Sequence, residues 1–159
     1  MIFVCVGSRK SQFNRLVKKI DELVSKGAIK EEVIAQIGVS DYIPQNITYH
    51  RFLSKKEFDY YQDKADVIIS HAGTGALIGA LKKGKKVIAV PRLQKFGEHI
   101  DDHQIQIASV LEKQGYLKCV IDIDTLEETI NNLVNGSAAK KYNRESKVID
   151  IIEEFLKNN

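Results

Sequence analysis

The stretch of this sequence best suited to chemistry is His71-Ala72-Gly73-Thr74-Gly75. It leaves an apolar run, Val67-Ile68-Ile69-Ser70, and opens a segment with helical character from about Gly75 to Lys83. The first N–H groups of a helix have no partner within it and carry about half an elementary positive charge. Glycines let an anion approach that backbone closely. Thr74 adds a hydroxyl and His71 an imidazole N–H. The turn therefore suits a phosphate or diphosphate; the alternative is a plain strand-to-helix turn with a Thr cap. A dinucleotide fingerprint is excluded, because Ile78 stands where Gly-x-Gly-x-x-Gly needs its last glycine and Gly79 misses by one. A P-loop is excluded too, since no Gly-Lys-Ser/Thr follows.

A second polar stretch runs from Pro91 through Arg92, Glu98, His99, Asp101, Asp102, His103 and Gln104. It packs many donors and acceptors into one loop and the first turn of a helix, as hydroxyl recognition requires. Asp101 or Asp102 is expected to cap that helix, and His99 reads as an exposed loop histidine. Arg92 belongs to the set. By itself it reads as a solvated loop arginine, and facing a ligand it would favour an acidic sugar. His99 and His103 are spaced for metal binding, but no third ligand is evident and no metal site is expected. Cys5 and Cys119 lie in separate apolar runs and read as reduced core residues. His50 reads as structural.

These residues need a scaffold, and the hydrophobic pattern supplies one. Strands are predicted at Ile2–Val6, Val33–Ile37, Ile47–Phe52, Asp66–Ser70, Lys86–Pro91 and Lys118–Ile121. Helices are predicted over Phe13–Val24, from a Ser54 capping box to about Lys64, from Gly75 to Lys83, from Asp101 or Asp102 to Gln114, and from Asp124 or Thr125 through Val134. The segment 138–157 is predicted as a C-terminal amphipathic helix, with Val148, Ile149, Ile152, Phe155 and Leu156 on one face. Such alternation implies right-handed crossovers and a single Rossmann-like, doubly wound, mostly parallel six-stranded α/β sheet spanning 1–159. In the usual order the first and fourth strands are neighbours, and ligands bind where the order reverses, beyond the strands' carboxyl ends. Gly7-Ser8, after the first strand, then faces His71–Gly75, after the fourth.

Composition narrows the function. The net charge is +3 over 159 residues, the basic pairs are interleaved with acids, and no aromatic-basic stripe occurs, so nucleic acid is not an expected partner. The basic clusters read mostly as solvated faces. The apolar start, Met1 to Val6, is too short for a signal peptide or a membrane span. A cytoplasmic location is expected.

Taken together, Val67–Gly75, Gly84–Pro91, Glu98 and Asp102-His103-Gln104, with Ile2–Ser8 and Phe13–Leu16, resemble the C-terminal, donor-binding half of family 28 glycosyltransferases of GT-B fold. The start, Ile2–Ser8 with Phe13–Leu16, is similar to the short stand-alone members. These are the soluble subunit of the two-part dolichol-pathway enzyme and the bacterial subunits of exopolysaccharide and capsule synthesis (EpsE/PssE type). The resemblance implies a UDP-sugar-dependent glycosyltransferase subunit. Its diphosphate would be held by Gly7, Ser8, His71 and the Ala72-Gly73-Thr74-Gly75 backbone. The rest of the donor would meet Arg92, Glu98, Asp102, His103 and Gln104, with His103 and Gln104 at the sugar. It implies no metal or other cofactor, a membrane-anchored acceptor-binding partner subunit, and a lipid-linked sugar acceptor. The protein would then sit peripherally at the inner face of the membrane, docked through the 138–156 segment unless that helix packs on its own sheet. Many relatives carry a glutamate eight residues after the motif histidine, for the ribose. Here that position is Gly79, so Glu98 or a backbone group is expected to make that contact. Without such a contact the chain would serve as a non-catalytic accessory subunit of a partner glycosyltransferase.

Overall fold

The computed structural model describes residues 1–8 and 10–136; the amphipathic helix predicted at 138–157 lies outside them. One sheet of six strands forms the centre. The strands are β1 (Ile2–Cys5), β2 (Val33–Gln36), β3 (Thr48–His50), β4 (Val67–His71), β5 (Lys86–Val90) and β6 (Lys118–Cys119). Their order is β3-β2-β1-β4-β5-β6, and every pairing is parallel. The reversal falls between β1 and β4, where Ile2 pairs with Val67 and Cys5 with Ser70. The two glycine turns therefore leave adjacent strands at the same edge.

The helices are α1 (Asn14–Ser25), α2 (Lys55–Lys64), α3 (Thr74–Lys82), α4 (His103–Lys113) and α5 (Leu126–Asn135). They cover both faces, which is why the central strands are continuous apolar runs. On one face Leu16, Val17 and Ile20 of α1 and Ile130 of α5 bury Ile2, Val4, Ile69 and Ile88. On the other, Leu77 and Leu81 of α3 with Ile107 and Leu111 of α4 bury Phe3, Ile68 and Val87. Successive strand residues go to opposite faces, as a pleated strand requires. Each fully buried leucine or isoleucine contributes on the order of 1.5–3 kcal/mol by leaving water.

The local signals account for most boundaries. Ser54 forms the predicted capping box: its hydroxyl accepts the Glu57 N–H, and the Glu57 carboxylate accepts the Ser54 N–H at 2.8 Å. The strand predicted at Ile47–Phe52 is shorter, because the chain turns away after His50. Arg51 leaves the sheet, and its guanidinium donates to the carbonyls of Gly38 and Ser40.

The 92–100 segment departs most from its reading as a polar loop. Arg92, Leu93 and Glu98 are buried, and a 3₁₀ turn spans Gln94–Phe96. The first turn of α4 is also capped differently. Asp102 holds the N-cap position without a side-chain bond to the helix, and the Asp101 carboxylate accepts the His103 N–H at 3.1 Å. Among the described residues, no helix is long and apolar enough to cross a membrane.

Candidate functional site

At the switch point the His71 imidazole fills the space between the two turns. A Cβ on Gly7 would lie 2.7 Å from His71 Cε1 and Nε2, and a Cβ on Gly73 would lie 2.2 Å from Nε2. Gly7 also has a φ of 83°, which other residues rarely adopt. Both positions are glycine because the ring stands against bare backbone.

A short chain of hydrogen bonds seats the ring from below. Burial pushes the Cys5 thiol up to about 11, against the Ser70 hydrogen bond, so it stays protonated. It donates to Ser70 Oγ at 3.2 Å, and Ser70 donates to the His71 carbonyl at 2.8 Å. His71 Nδ1 lies 3.4 Å from the Cys5 carbonyl, a contact that requires a proton on Nδ1.

Helix α3 starts at Thr74 with Gly73 as N-cap, and no side chain caps it. Its first N–H groups open toward the cleft, as an anion site requires. The Thr74 hydroxyl is not the cap that the sequence offered. Ala72 is fully buried among Leu77 and its neighbours and can offer only backbone.

Two chambers meet at these turns and share Gly7, His71 and Gly73. The larger, about 520 Å³, is lined by Ser8, Gly75, Gln36, Leu53, Lys55 and Phe58. It combines an apolar wall with a few polar groups, as a nucleoside site would. The smaller, about 90 Å³, is lined by Arg92, His99, His103 and Gln104. Among the described residues, its lining carries imidazole, guanidinium and amide groups and no carboxylate. Another hollow of about 520 Å³, around Met1, Asp66 and Lys85, lies at the opposite end of the strands. Its charges are occupied: the Met1 amine bonds Asp66 at 2.7 Å, and the Lys85 ammonium donates to the carbonyls of Asp63 and Ala65.

Three residues expected on the rim have other tasks. Arg92 is 2% exposed and not solvated. Its guanidinium donates to the carbonyls of Val6, Ser11 and Glu98 and lies over the Phe13 ring. It ties the end of β1 to the loop after β5. Glu98 is wholly buried: Oε1 accepts from Arg15 Nε at 3.0 Å, and Oε2 accepts from Arg15 Nη2 and the Leu93 N–H, both at 2.9 Å. It therefore cannot replace the glutamate absent at Gly79. Asp102 is exposed and holds the 3₁₀ turn by accepting the Gln94 N–H at 2.8 Å.

His103 and Gln104 do reach that chamber. Gln104 Oε1 accepts the Arg92 N–H at 3.0 Å, which fixes the amide. His103 Nδ1 makes a short hydrogen bond to Asp101 Oδ1. His99 is not an exposed loop residue, for its side chain is 6% accessible and its Nδ1 lies 3.3 Å from the same carboxylate oxygen. The ligand atoms of His99, Asp101 and His103 lie within 4.8 Å of one another, so Asp101 supplies the third group that the sequence reading lacked. The backbone N–H of His103 is the main cause holding the Asp101 carboxyl below the usual range, with both imidazoles adding to it. Gln36, Leu53, Lys55 and Phe58 went unnoticed in the sequence because they come from β2, the β3–α2 connection and α2, and only the sheet order assembles them.

Residues 1–157 match the model of the glycosyltransferase family 28 C-terminal domain. The chain belongs to that family. It is 30% identical over 129 residues to the human UDP-N-acetylglucosamine transferase subunit ALG13, covering 73% of this chain and 10% of that protein. It is 29% identical over 114 residues to the subunit of that name from Candida albicans, covering 71% and 37%. The chain spans half or less of the length of such relatives.

Among solved structures, an ALG13 solution structure superposes with a TM-score of 0.63 at 20% identity, covering 98% of this chain and 94% of that one. Acinetobacter baumannii MurG superposes with a TM-score of 0.63 at 16% identity, covering 98% and 49%. These likenesses show that the domain has the Rossmann-like α/β fold of its GT-B neighbours.

Proposed function

We propose that this family 28 domain is the donor-binding, catalytic subunit of a heteromeric inverting glycosyltransferase that uses a UDP-sugar. The observation that carries the reading is the meeting of two chambers at the glycine turns. A nucleoside fits against Leu53 and Phe58, the diphosphate spans Gly7, His71 and the first turn of α3, and the sugar end enters beside His103 and Gln104. As the bond to the sugar breaks, negative charge grows on the leaving diphosphate. Preorganised N–H groups facing that charge are the strongest catalytic device such a site has. The names of the relatives, UDP-N-acetylglucosamine transferase subunits, support both a UDP-sugar donor and a partner chain.

The acceptor is a lipid-linked sugar held by a membrane-anchored partner, in exopolysaccharide or capsule assembly. This finer reading is supported by the sequence resemblance alone. Calorimetric titration of UDP, ADP and GDP tests the donor reading, with UDP expected to bind best. If no nucleotide binds at millimolar concentration, the chain is an accessory subunit instead.

A further inference from the structure

We infer that His99, Asp101 and His103 form a binding site for a divalent transition-metal ion of the zinc type, which braces the loop after β5 against the first turn of α4. The inference stands apart from the donor reading and needs no nucleotide. One ligand atom from each of the three lies within 4.8 Å of those of the other two. Ligand atoms about 2.0–2.2 Å from a tetrahedral zinc ion stand about 3.3 Å from one another. His99 Nδ1 lies 3.3 Å from Asp101 Oδ1, and His103 Nδ1 meets the same oxygen. Two imidazoles and one carboxylate suit zinc and its neighbours in the first transition row, whereas magnesium and calcium take oxygen ligands. Among the described residues, no second trio of His, Cys, Asp and Glu converges in this way.

The ligands are held in place by the protein itself. The residues on either side of the trio are buried and bonded: Glu98 accepts from Arg15 and the Leu93 N–H, and Gln104 accepts the Arg92 N–H at 3.0 Å. The His103 N–H donates to Asp101 Oδ1 at 3.1 Å, an outer contact of the kind that orients a ligating carboxylate. His99 Nδ1 already presents its lone pair, because it accepts the Asp101 N–H at 3.4 Å. His103 Nδ1 carries the proton that it donates to Asp101. The ion takes the place of that proton, and the ring, still neutral, carries its proton on Nε2 instead. The two rings stand edge to face with centroids 4.9 Å apart, and both line the chamber of about 90 Å³. A water needs only about 10–15 Å³ of such space, so the fourth position is open to one. The Arg92 guanidinium lines the same chamber but is turned to the carbonyls of Val6, Ser11 and Glu98.

The test titrates Zn²⁺ alone into EDTA-dialysed protein by calorimetry, with Co²⁺ as a visible-absorption probe. Wild type should take up one Zn²⁺ per chain, and its melting temperature should rise with Zn²⁺ concentration. Bound Co²⁺ should show d–d bands that Zn²⁺ removes and excess Mg²⁺ does not. His103→Ala and Asp101→Asn should each lower Zn²⁺ affinity by about 100-fold, since loss of even an outer contact costs about 10–100-fold. His99→Phe keeps the aromatic packing and should lower it as much, even if Asp101→Asn fails to fold. His50→Ala should leave the affinity unchanged.

Zn²⁺ affinity equal to wild type in both His99→Phe and His103→Ala overturns the site. Displacement of the bound ion by Mg²⁺ overturns it too, because a hard cation does not compete for imidazole. Failure of wild type to take up Zn²⁺ saturably has the same consequence. None of these outcomes bears on the donor reading, which nucleotide titration in the presence of EDTA tests separately.

Discussion

Gly75→Asp tests the diphosphate position with little risk to the fold. Gly75 is exposed in the first turn of α3, and a Cβ there meets nothing within 4 Å. An aspartate in the first turn of a helix is favourable by about 0.3–1 kcal/mol, so the melting temperature should hold or rise slightly. The carboxylate would stand where a diphosphate approaches the free N–H groups. Two unit charges about 5 Å apart at an effective dielectric near 20 repel by about 3 kcal/mol. Solvent screening and rotation of the exposed side chain leave about 1.5–2 kcal/mol, or about a 10- to 30-fold loss of UDP affinity. Calorimetry at two salt concentrations measures this directly, and the loss should narrow at high salt. UDP affinity within twofold of wild type, in a variant of normal melting temperature, would refute the placement of the diphosphate at α3.

Three further outcomes follow from burial and bonding. Glu98→Gln leaves the Arg15 guanidinium without its buried counter-charge, which should lower stability by about 3 kcal/mol in urea unfolding. Gly79→Ala places a methyl group 3.7 Å from Gln62 Nε2 of α2, an ordinary contact between the two helices, so α3 should gain about 0.5–1 kcal/mol, read as a higher melting temperature. At Asp21, burial acts to raise the carboxyl, but the N–H groups of Gln45 and Asn46 and the Tyr42 hydroxyl outweigh it and hold it below the ordinary range. Because the folded value is the lower one, those bonds stabilise the fold fully above the unfolded aspartate value near pH 4 and are lost as pH falls through the folded value. The stability advantage of wild type over Asp21→Asn should therefore be constant near neutral pH and narrow as the pH falls below about 4. A stability difference between the two that is flat from neutral pH to about pH 3 sinks that assignment.

The sheet was legible in the sequence because both of its signals are local. Apolar runs such as Val67–Ile69 and glycine stops such as Gly84 mark the elements, and strict strand–helix alternation leaves few topologies. The glycine turn was legible for the same reason. The rim was not. Nothing local distinguishes Glu98, a carboxylate in a polar loop, from a ligand-binding glutamate. Its partner Arg15 comes from α1, far off in the chain, and the pair forms only once β5 lies on the far side of β4 from β1. Arg92 looked solvated because burial of its guanidinium depends on three carbonyls, two of them, Val6 and Ser11, far off in the chain. Asp101 hid behind the choice between two adjacent aspartates for one cap, a choice decided by backbone angles rather than residue type.

The placement of these groups also bears on what the partner proposed above would contribute. An inverting displacement breaks the bond to the diphosphate on one face of the sugar while a base removes a proton from the acceptor on the opposite face. Here the imidazoles of His71, His99 and His103 all line the smaller chamber, where the donor-binding reading places the sugar end next to the diphosphate. The nearby carboxylates are committed, Glu98 to Arg15, Asp101 to the histidines and Asp102 to Gln94. Among the described residues, the carboxylates named are thus occupied by partners within the domain. On the donor-binding reading this domain therefore holds and discharges the leaving group, and the base arrives with the acceptor half. The chain alone should then bind UDP-sugar yet hydrolyse it no faster than buffer, as followed by UDP release. Rapid hydrolysis by the isolated chain, abolished by substitution of one of its own carboxylates or histidines, would mean that the base is already here.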